Sequence, residues 1–417
     1  MKITVLGSGI QGICSAWWLT KLGHEVTVID KCSSAALETS FANGGQISVS
    51  YAEPWSHYKN IYKIVKWLFQ SDSPLSFKAK LDINQWKWIF SFFKECLPSN
   101  FEHNLSSMIK LAHYSKITLD ELNNELDINY QKSKCGIIRL YSNQNDLEQA
   151  KKFIKIMNSL GVNREIISKE HILNLEPNLK SYINCIIGGD YTSSDESGNA
   201  FLFTKNLAEL CKQNGCKFLY NTNINQLIIK NNKVEKIELI KDDGYYDYIY
   251  SDAYVVALGS YSSILLRPIG INYNIYPVKG YSATFNIVND QLAPKISLID
   301  NNNKLVISRL NDKLRIAGFV ELSGYSRSLN MKKCQMITNL ANKFFPDALD
   351  IKKVHYWAGL RPATPSGVPY IGKTKFCNLY INSGHGPLGW TMGIGSSKAL
   401  ADIINGNKPV IDFPFLG

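Results

Sequence analysis

No apolar run in this 417-residue chain approaches the roughly 18 residues that a helix needs to cross a bilayer. No secretory leader is readable at its start either, because residues 3–6 already form an apolar strand pattern. The expectation is a cytoplasmic chain. Its nine cysteines are scattered without a CxxC pair, Cys211 and Cys216 lying nearest to each other. That spread favours reduced thiols over disulfides or structural zinc. The seven histidines show no metal-ligand spacing, so no metal is expected. A GxSxG elbow is missing, which leaves an α/β-hydrolase without its nucleophile. A formal charge of +11 would suit an anionic partner, yet the lysines are spread along the chain and build no basic block. Nucleic acid is therefore not an expected partner. A literal phosphate-loop string runs from Gly367 to Thr374, but Pro369 has no N–H to offer, Tyr370 and Ile371 are bulky, and a strand pattern follows.

What is present is concentrated at the start. Ile3, Val5 and Leu6 form a short apolar run, then Gly7, Ser8, Gly9 and Gly12 lead into a helical pattern, and Val26–Ile29 ends at Asp30. This is the strand–glycine turn–helix–strand–acid order of a Rossmann dinucleotide site. Gly7 permits the turn, Gly9 lets backbone N–H groups approach a pyrophosphate, and Gly12 lets the helix pack on the strand. The helix N-terminus favours the phosphates electrostatically. Asp30 follows Gly7 at a distance suited to accepting hydrogen bonds from ribose hydroxyls. At this length two domains are expected.

Farther along, Glu38–Ser48 is rich in small residues, with Ser40, Asn43, Gly44, Gly45 and Gln46 suited either to passing close to a flat ligand or to a surface loop. Residues 55–100 hold Trp55, Trp67, Trp86 and Trp88 with Phe69, Phe90, Phe92 and Phe93, interspersed with lysines. Either a core helix or a patch dipping into a membrane interface fits this mixture. Helices are expected over 104–126, 144–160, 200–211 and 331–344, with strands near 135–141, 217–220, 225–229, 234–239, 281–287, 305–308 and 314–320. A polar turn is read at Asp242-Asp243-Gly244, and Ala253–Val256 reads as a second buried strand running on to Gly259. Trp357–Gly367 reads as a proline-stiffened loop carrying Arg361, and Leu379–Asn382 as a strand entering Gly384-His385-Gly386, with a helix from Thr391 to Ile404. Arg361 is either a core arginine tied to a local carboxylate or a clamp for a substrate carboxylate. Tyr51, Tyr281 and Tyr325 are packing residues or pocket walls. His385 either stands over a cofactor ring or caps its turn.

The sheet built from distant pieces points to a flavoprotein rather than a nicotinamide enzyme, whose dinucleotide domain usually closes early in the chain. The fold expected is α/β and α+β: a Rossmann-like FAD-binding domain from residues 1–55, 185–265 and 350–417, and a β-rich substrate domain with helices from 56–184 and 266–349. Val5–Gly9, Gly23–Asp30, Ala36–Ser40, Gly45–Ser48, Leu258–Ser262, Tyr276–Ser282, Gly359–Pro362 and Gly384–Met392 carry a resemblance that covers nearly the whole chain. There the chain resembles the FAD-dependent amine and amino-acid oxidoreductases of the D-amino-acid oxidase, glycine oxidase and sarcosine oxidase group. Within that group it looks most like the bacterial D-amino acid dehydrogenases of small-subunit type.

The resemblance implies oxidative deamination of D-amino acids, D-alanine among them, to 2-oxo acids and ammonia. It implies hydride transfer from Cα to flavin N5 and electrons passed to a quinone or other respiratory acceptor. With such an acceptor, the aromatic–lysine region becomes a candidate for peripheral contact with the inner membrane. An oxygen-using glycine, sarcosine or imino-acid oxidoreductase, and an FAD-binding subunit without turnover, remain open alternatives. The candidate catalytic residues are Arg361, Tyr281, Tyr51 and His385. The candidate cofactor contacts are Ile3, Gly7, Ser8, Gly9, Gly12, Asp30, Lys31, Ser40, Asn43, Gly44, Gln46, Gly259, Gly384, His385, Gly386, Gly389, Trp390 and Thr391. Two departures bear on the mouth of the site: Gly44-Gly45 where Ala-Gly is usual, and Val49 where a proline is usual. Sarcosine oxidases hold their flavin through a cysteine near the arginine loop, and the nearest here is Cys377, past that stretch, so FAD is expected to be non-covalent.

Overall fold

The computed structural model describes residues 1–58, 75–241, 244 and 246–417. Trp67, Phe69 and the Asp242-Asp243 half of the predicted turn lie outside the described residues. The opening strand, Lys2–Leu6, is the centre of a six-stranded sheet. Its neighbours are Glu25–Ile29 on one side and Ala253–Val256 on the other, both parallel to it. Lys217–Leu219 extends the first edge, Leu379–Ser383 the second, and Tyr370–Lys373 closes that edge antiparallel. Three separated stretches of chain therefore make one sheet. Val5 and Leu6 are fully buried, as a strand covered on both faces requires.

Two helices pack on this sheet and on each other, Ile10–Lys21 at the start of the chain and Gly389–Ile404 near its end. Close approach is enforced at Gly12, where an added Cβ would lie 1.8 Å from the Gly7 carbonyl oxygen. The long helix Pro98–Glu125 joins the same core through Phe101, Leu105, Met108 and Leu119. Ser115 Oγ accepts a hydrogen bond from the Gly395 N–H at 3.1 Å. This corrects the expected division, because a helix assigned to the substrate domain shares its apolar face with the opening and closing helices.

The second unit is a nine-stranded mixed sheet. Its path runs from Leu349–Ala363 through Tyr276–Ile287, Lys313–Leu322, Leu305–Leu310, Ser297–Asp300, Ile137–Tyr141 and Gly188–Thr192 to Glu165–Ile167, with Leu75–Phe77 paired onto Lys313–Leu322. The helix Met331–Phe344 covers one face through Cys334, Ile337, Ala341 and Phe344. Two boundaries move as a result: Gly188–Thr192 and Leu349–Ala363, expected in the FAD-binding segments, are ladder-bonded into this sheet. The proline-stiffened loop around Arg361 is in fact the end of a 15-residue strand. Pro362 is tolerated there because the strand lies at the sheet edge, where a missing N–H costs no ladder bond on the open side. A short ribbon, Gln46–Ile47 with Glu196–Ser197, ties the two units together.

Candidate active site

One cavity of about 1180 Å³ runs between the two sheets, lined at one end by Gly7, Gly9, Asp30 and Lys31 and at the other by Tyr51, Gly280, Phe319 and Arg361. At the first end, Gly7 adopts φ 103° and an added Cβ would lie 2.6 Å from the Ala257 carbonyl oxygen, so the turn admits glycine alone. The opening helix receives no side-chain cap from Gly9, while Ser40 Oγ accepts the Ile10 N–H from a distant loop. Asp30 Oδ2 accepts both the N–H and the Oγ–H of Ser8 at 2.7 Å, and Oδ1 accepts the Cys32 N–H. Lys31 stands 3.2 Å from Glu38 and over the ring of Tyr261.

The wall between the ends is held by exchanges across the chain. Gln46 Nε2 donates to the Leu298 carbonyl, Ser308 Oγ to that of Gly44, and the Ser48 N–H to Thr391 Oγ1. Asn43 accepts the Gly45 N–H. Gly44 is crowded, since an added Cβ would lie 2.5 Å from Val306; the alanine usual there would not fit this neighbour. Gly386, Gly389, Trp390 and Thr391 line the cavity at the closing helix, whose first turn has no side-chain cap. Two helix starts facing an extended cavity, with an acid near the first, are the features that a dinucleotide needs. The residues present therefore fit FAD.

At the far end Arg361 lies over Gly280, where an added Cβ would stand 2.3 Å from Cζ. Its Nη1 donates to the Phe319 carbonyl at 2.8 Å and Nη2 to that of Gly318 at 3.5 Å. Among the described residues no carboxylate pairs with it. Loss of water pushes its pKa down to about 10, which leaves it charged at neutral pH and short of a counter-ion. Phe319 holds its carbonyl in place at φ 55°, a left-handed conformation that costs a bulky residue about 1–3 kcal/mol.

The other expected side chains divide. Tyr51 lines the cavity, with the Arg139 guanidinium stacked 4.9 Å from its ring centre; burial raises its pKa, so it is a neutral phenol. Tyr281 borders the cavity but its hydroxyl is turned to Glu321 at 2.7 Å, and its ring packs in the core beneath the Met331–Phe344 helix. Alternation along the strand sets it opposite to Val278 and Gly280. His385 is buried outside the lining, with Nε2 3.0 Å from Ser396 Oγ and its pKa pushed by burial down to about 3. The ring is neutral and tied to the closing helix. Tyr325 donates to the Ser260 carbonyl and packs near Tyr261. Ile3, Ser8, Gly12 and Gly384 shape the wall from behind rather than line it.

Sequence reasoning missed an ion network beside Tyr51, whose members Glu53 and Arg139 also line the cavity. Glu53 accepts from Arg139 and Arg164, both at 3.0 Å, and Arg164 also grips Asp190 at 2.9 Å. Burial opposes ionisation of Glu53, yet the two arginines hold its carboxyl below the usual range. An arginine inside the apolar run Ile137–Tyr141 was the available signal.

The chain matches the family model for FAD-dependent oxidoreductases of the DAO type over residues 2–403. A D-amino acid dehydrogenase from Dechloromonas aromatica is 42% identical over 416 residues, covering 100% of both chains. One from Agrobacterium fabrum is 38% identical, covering 99% of this chain and 97% of that one. Among solved structures, glycine oxidase from Bacillus cereus superposes with a TM-score of 0.74 at 22% identity, covering 97% of this chain and 95% of that one. The L-proline dehydrogenase from P. horikoshii gives 0.76 at 18% identity, over 99% and 95% of the two chains. The chain thus belongs to the DAO family of FAD-dependent oxidoreductases. Its full-length relatives set it in the branch whose members carry the name D-amino acid dehydrogenase. FAD is its cofactor, and no described helix is long and apolar enough to cross a membrane.

Among the described residues no cysteine or histidine lines the cavity, and Cys377 is exposed outside the lining. Unfolding in acid is expected to release all of the yellow chromophore into the supernatant. Colour retained on the precipitated chain would contradict non-covalent attachment.

Proposed function

We propose that this protein oxidises D-amino acids to their imino acids, which water hydrolyses to 2-oxo acids and ammonia, and that it passes the electrons to a quinone or another respiratory carrier. The observation that carries the reading is Arg361, a desolvated guanidinium in the cavity wall with no acid of its own. A substrate carboxylate supplies the missing counter-ion and gains paired N–H donors. FAD held along this cavity would supply the two-electron acceptor for the Cα–H bond of the substrate, with hydride passing to N5. The chain's part is positioning and electrostatics. Arg361 anchors one end of the substrate, Tyr51 offers a neutral hydroxyl beside it, and Glu53 stays ionised between its arginines and so is a poor proton acceptor. The substrate amine must lose a proton before the redox step, and the hydride transfer itself asks for no acid or base from the chain. The start of the Gly389–Ile404 helix favours negative charge that develops at the cavity wall. The D preference is supported by the names of the full-length relatives, whereas the fold is shared with a protein named for an L-substrate.

The helix Ile83–Glu95 supports docking at a membrane surface. Its Trp88 and Phe92 are buried against Tyr276, but Phe90 is 70% exposed, Trp86 40% and Phe93 37%. With Lys87 and Lys94 near them in sequence, these rings, of which Trp86 and Phe93 also border the cavity, offer a surface suited to an interface with anionic lipid.

Anaerobic addition of D-alanine is expected to bleach the flavin, while L-alanine leaves it yellow; no bleaching with any D-amino acid would sink the reading. Arg361→Ala should lower kcat/KM for D-alanine about 10- to 200-fold, the cost of a lost charge-assisted bond. An unchanged value would remove the clamp. For the membrane face, Trp86, Phe90 and Phe93 replaced together by alanine should reduce partitioning onto anionic vesicles, and equal partitioning would dispose of the docking.

A further inference from the structure

The sheet beneath Arg361 carries on its other face a buried cluster that the proposed chemistry does not use. Lys279 and Tyr281 flank Gly280 on one strand, and both reach Glu321 on the next. Glu321 Oε1 is 2.9 Å from Lys279 Nζ, and Oε2 accepts the Tyr281 hydroxyl at 2.7 Å. Lys78 and Lys333 stand farther off, at 3.5 and 3.8 Å. Lys279 and Glu321 are almost fully buried. Burial opposes ionisation of Glu321, yet hydrogen bonds from Lys279 and Tyr281 outweigh it and hold the carboxyl down at about 2.

The strand register gives this cluster its meaning. Lys279 pairs with Glu321 and Tyr281 with Gly318, so Gly280 alone opposes the two residues Phe319 and Val320. That is a β-bulge, a device that re-aims backbone groups beside it. Here the re-aimed groups are the Gly318 and Phe319 carbonyls, which hold Arg361. Gly280, at the centre of the bulge, is also the seat of the guanidinium. Glu321 thus grips the residues on both sides of that seat from the opposite face.

We propose that Glu321 is a positioning residue for the substrate-carboxylate clamp: by holding Lys279 and Tyr281 together it fixes the bulge that seats Arg361. A regular register would set Lys279 opposite Val320 or Tyr281 opposite Phe319 and move the two carbonyls, since a one-residue slip exchanges the faces of a strand. The inference rests on Arg361 as the clamp.

The test is a double-mutant cycle on the FAD-loaded protein, with benzoate as a plain carboxylate probe and its dissociation constant read from the change in flavin absorption. FAD affinity and Tm are measured beside it. Glu321→Gln and Tyr281→Phe are each expected to weaken benzoate about 3- to 30-fold with FAD affinity unchanged, and to add nothing once Arg361 is alanine. Where Glu321→Gln does not fold, Tyr281→Phe, which removes one hydroxyl, decides the matter. Unchanged benzoate affinity in these variants, with Arg361→Ala weakened, overturns the positioning role and leaves the clamp intact. An equal loss in the Arg361→Ala background overturns it as well, because the effect would then be general. If Arg361→Ala binds benzoate as wild type does, the clamp itself fails and the inference falls with it.

Discussion

A charged guanidinium taken out of water without an acid beside it is the constraint around which the reacting end of this molecule is built. Arg361 is held by two backbone carbonyls, lies over a residue with no side chain, and depends on a strand that accepts a left-handed phenylalanine. Neutral carbonyls orient a cation without neutralising it, so its field stays available to an incoming carboxylate. A local glutamate would have stabilised the arginine and removed its use. The arginines behind Tyr51 make the contrast plain, since Arg139 and Arg164 each meet Glu53 and are spent on structure.

The rest of the fold brings a dinucleotide site to that arginine. The opening glycine turn and the closing helix lie almost the whole chain apart in sequence, yet Gln11 Nε2 donates to the Gly389 carbonyl and the two helices pack in contact. One end of the cavity is thus made by the start of the chain and the other by a second sheet, joined to the first by a short ribbon, a backbone bridge between Ala363 and His385, and side-chain ties. Thr39 and Ser260 both donate to the Leu360 carbonyl, the residue before Arg361. These bonds fasten the strand that carries Arg361 to the dinucleotide-binding unit.

Much of this was legible in the residues. Gly7, Gly9, Gly12 and Asp30 announce their geometry because each type answers a local steric or hydrogen-bonding need, and the Met331–Phe344 helix falls where its periodicity says. Arg361 was legible as a charged residue among apolar neighbours. What failed did so for tertiary reasons. Pro362 and Gly359 punctuate a strand that looks like a loop, because nothing local reveals that it lies at a sheet edge. Tyr281 does border the cavity, but strand parity turns its hydroxyl away to Glu321. His385 sits between two glycines as a ligand-facing residue would, and the fold ties it to Ser396 instead. The bulge at Phe319 leaves no trace in sequence, since glycine is the residue that its backbone would favour.

The central claim is that Arg361 waits for the carboxylate of the substrate. A crystal structure of the FAD-loaded protein with a bound D-amino acid or a carboxylate analogue tests it most directly. The carboxylate is expected within about 3 Å of both Arg361 amino groups, with Cα directed at the flavin. A carboxylate held elsewhere in the cavity, with Arg361 still on the Gly318 and Phe319 carbonyls alone, would contradict the account.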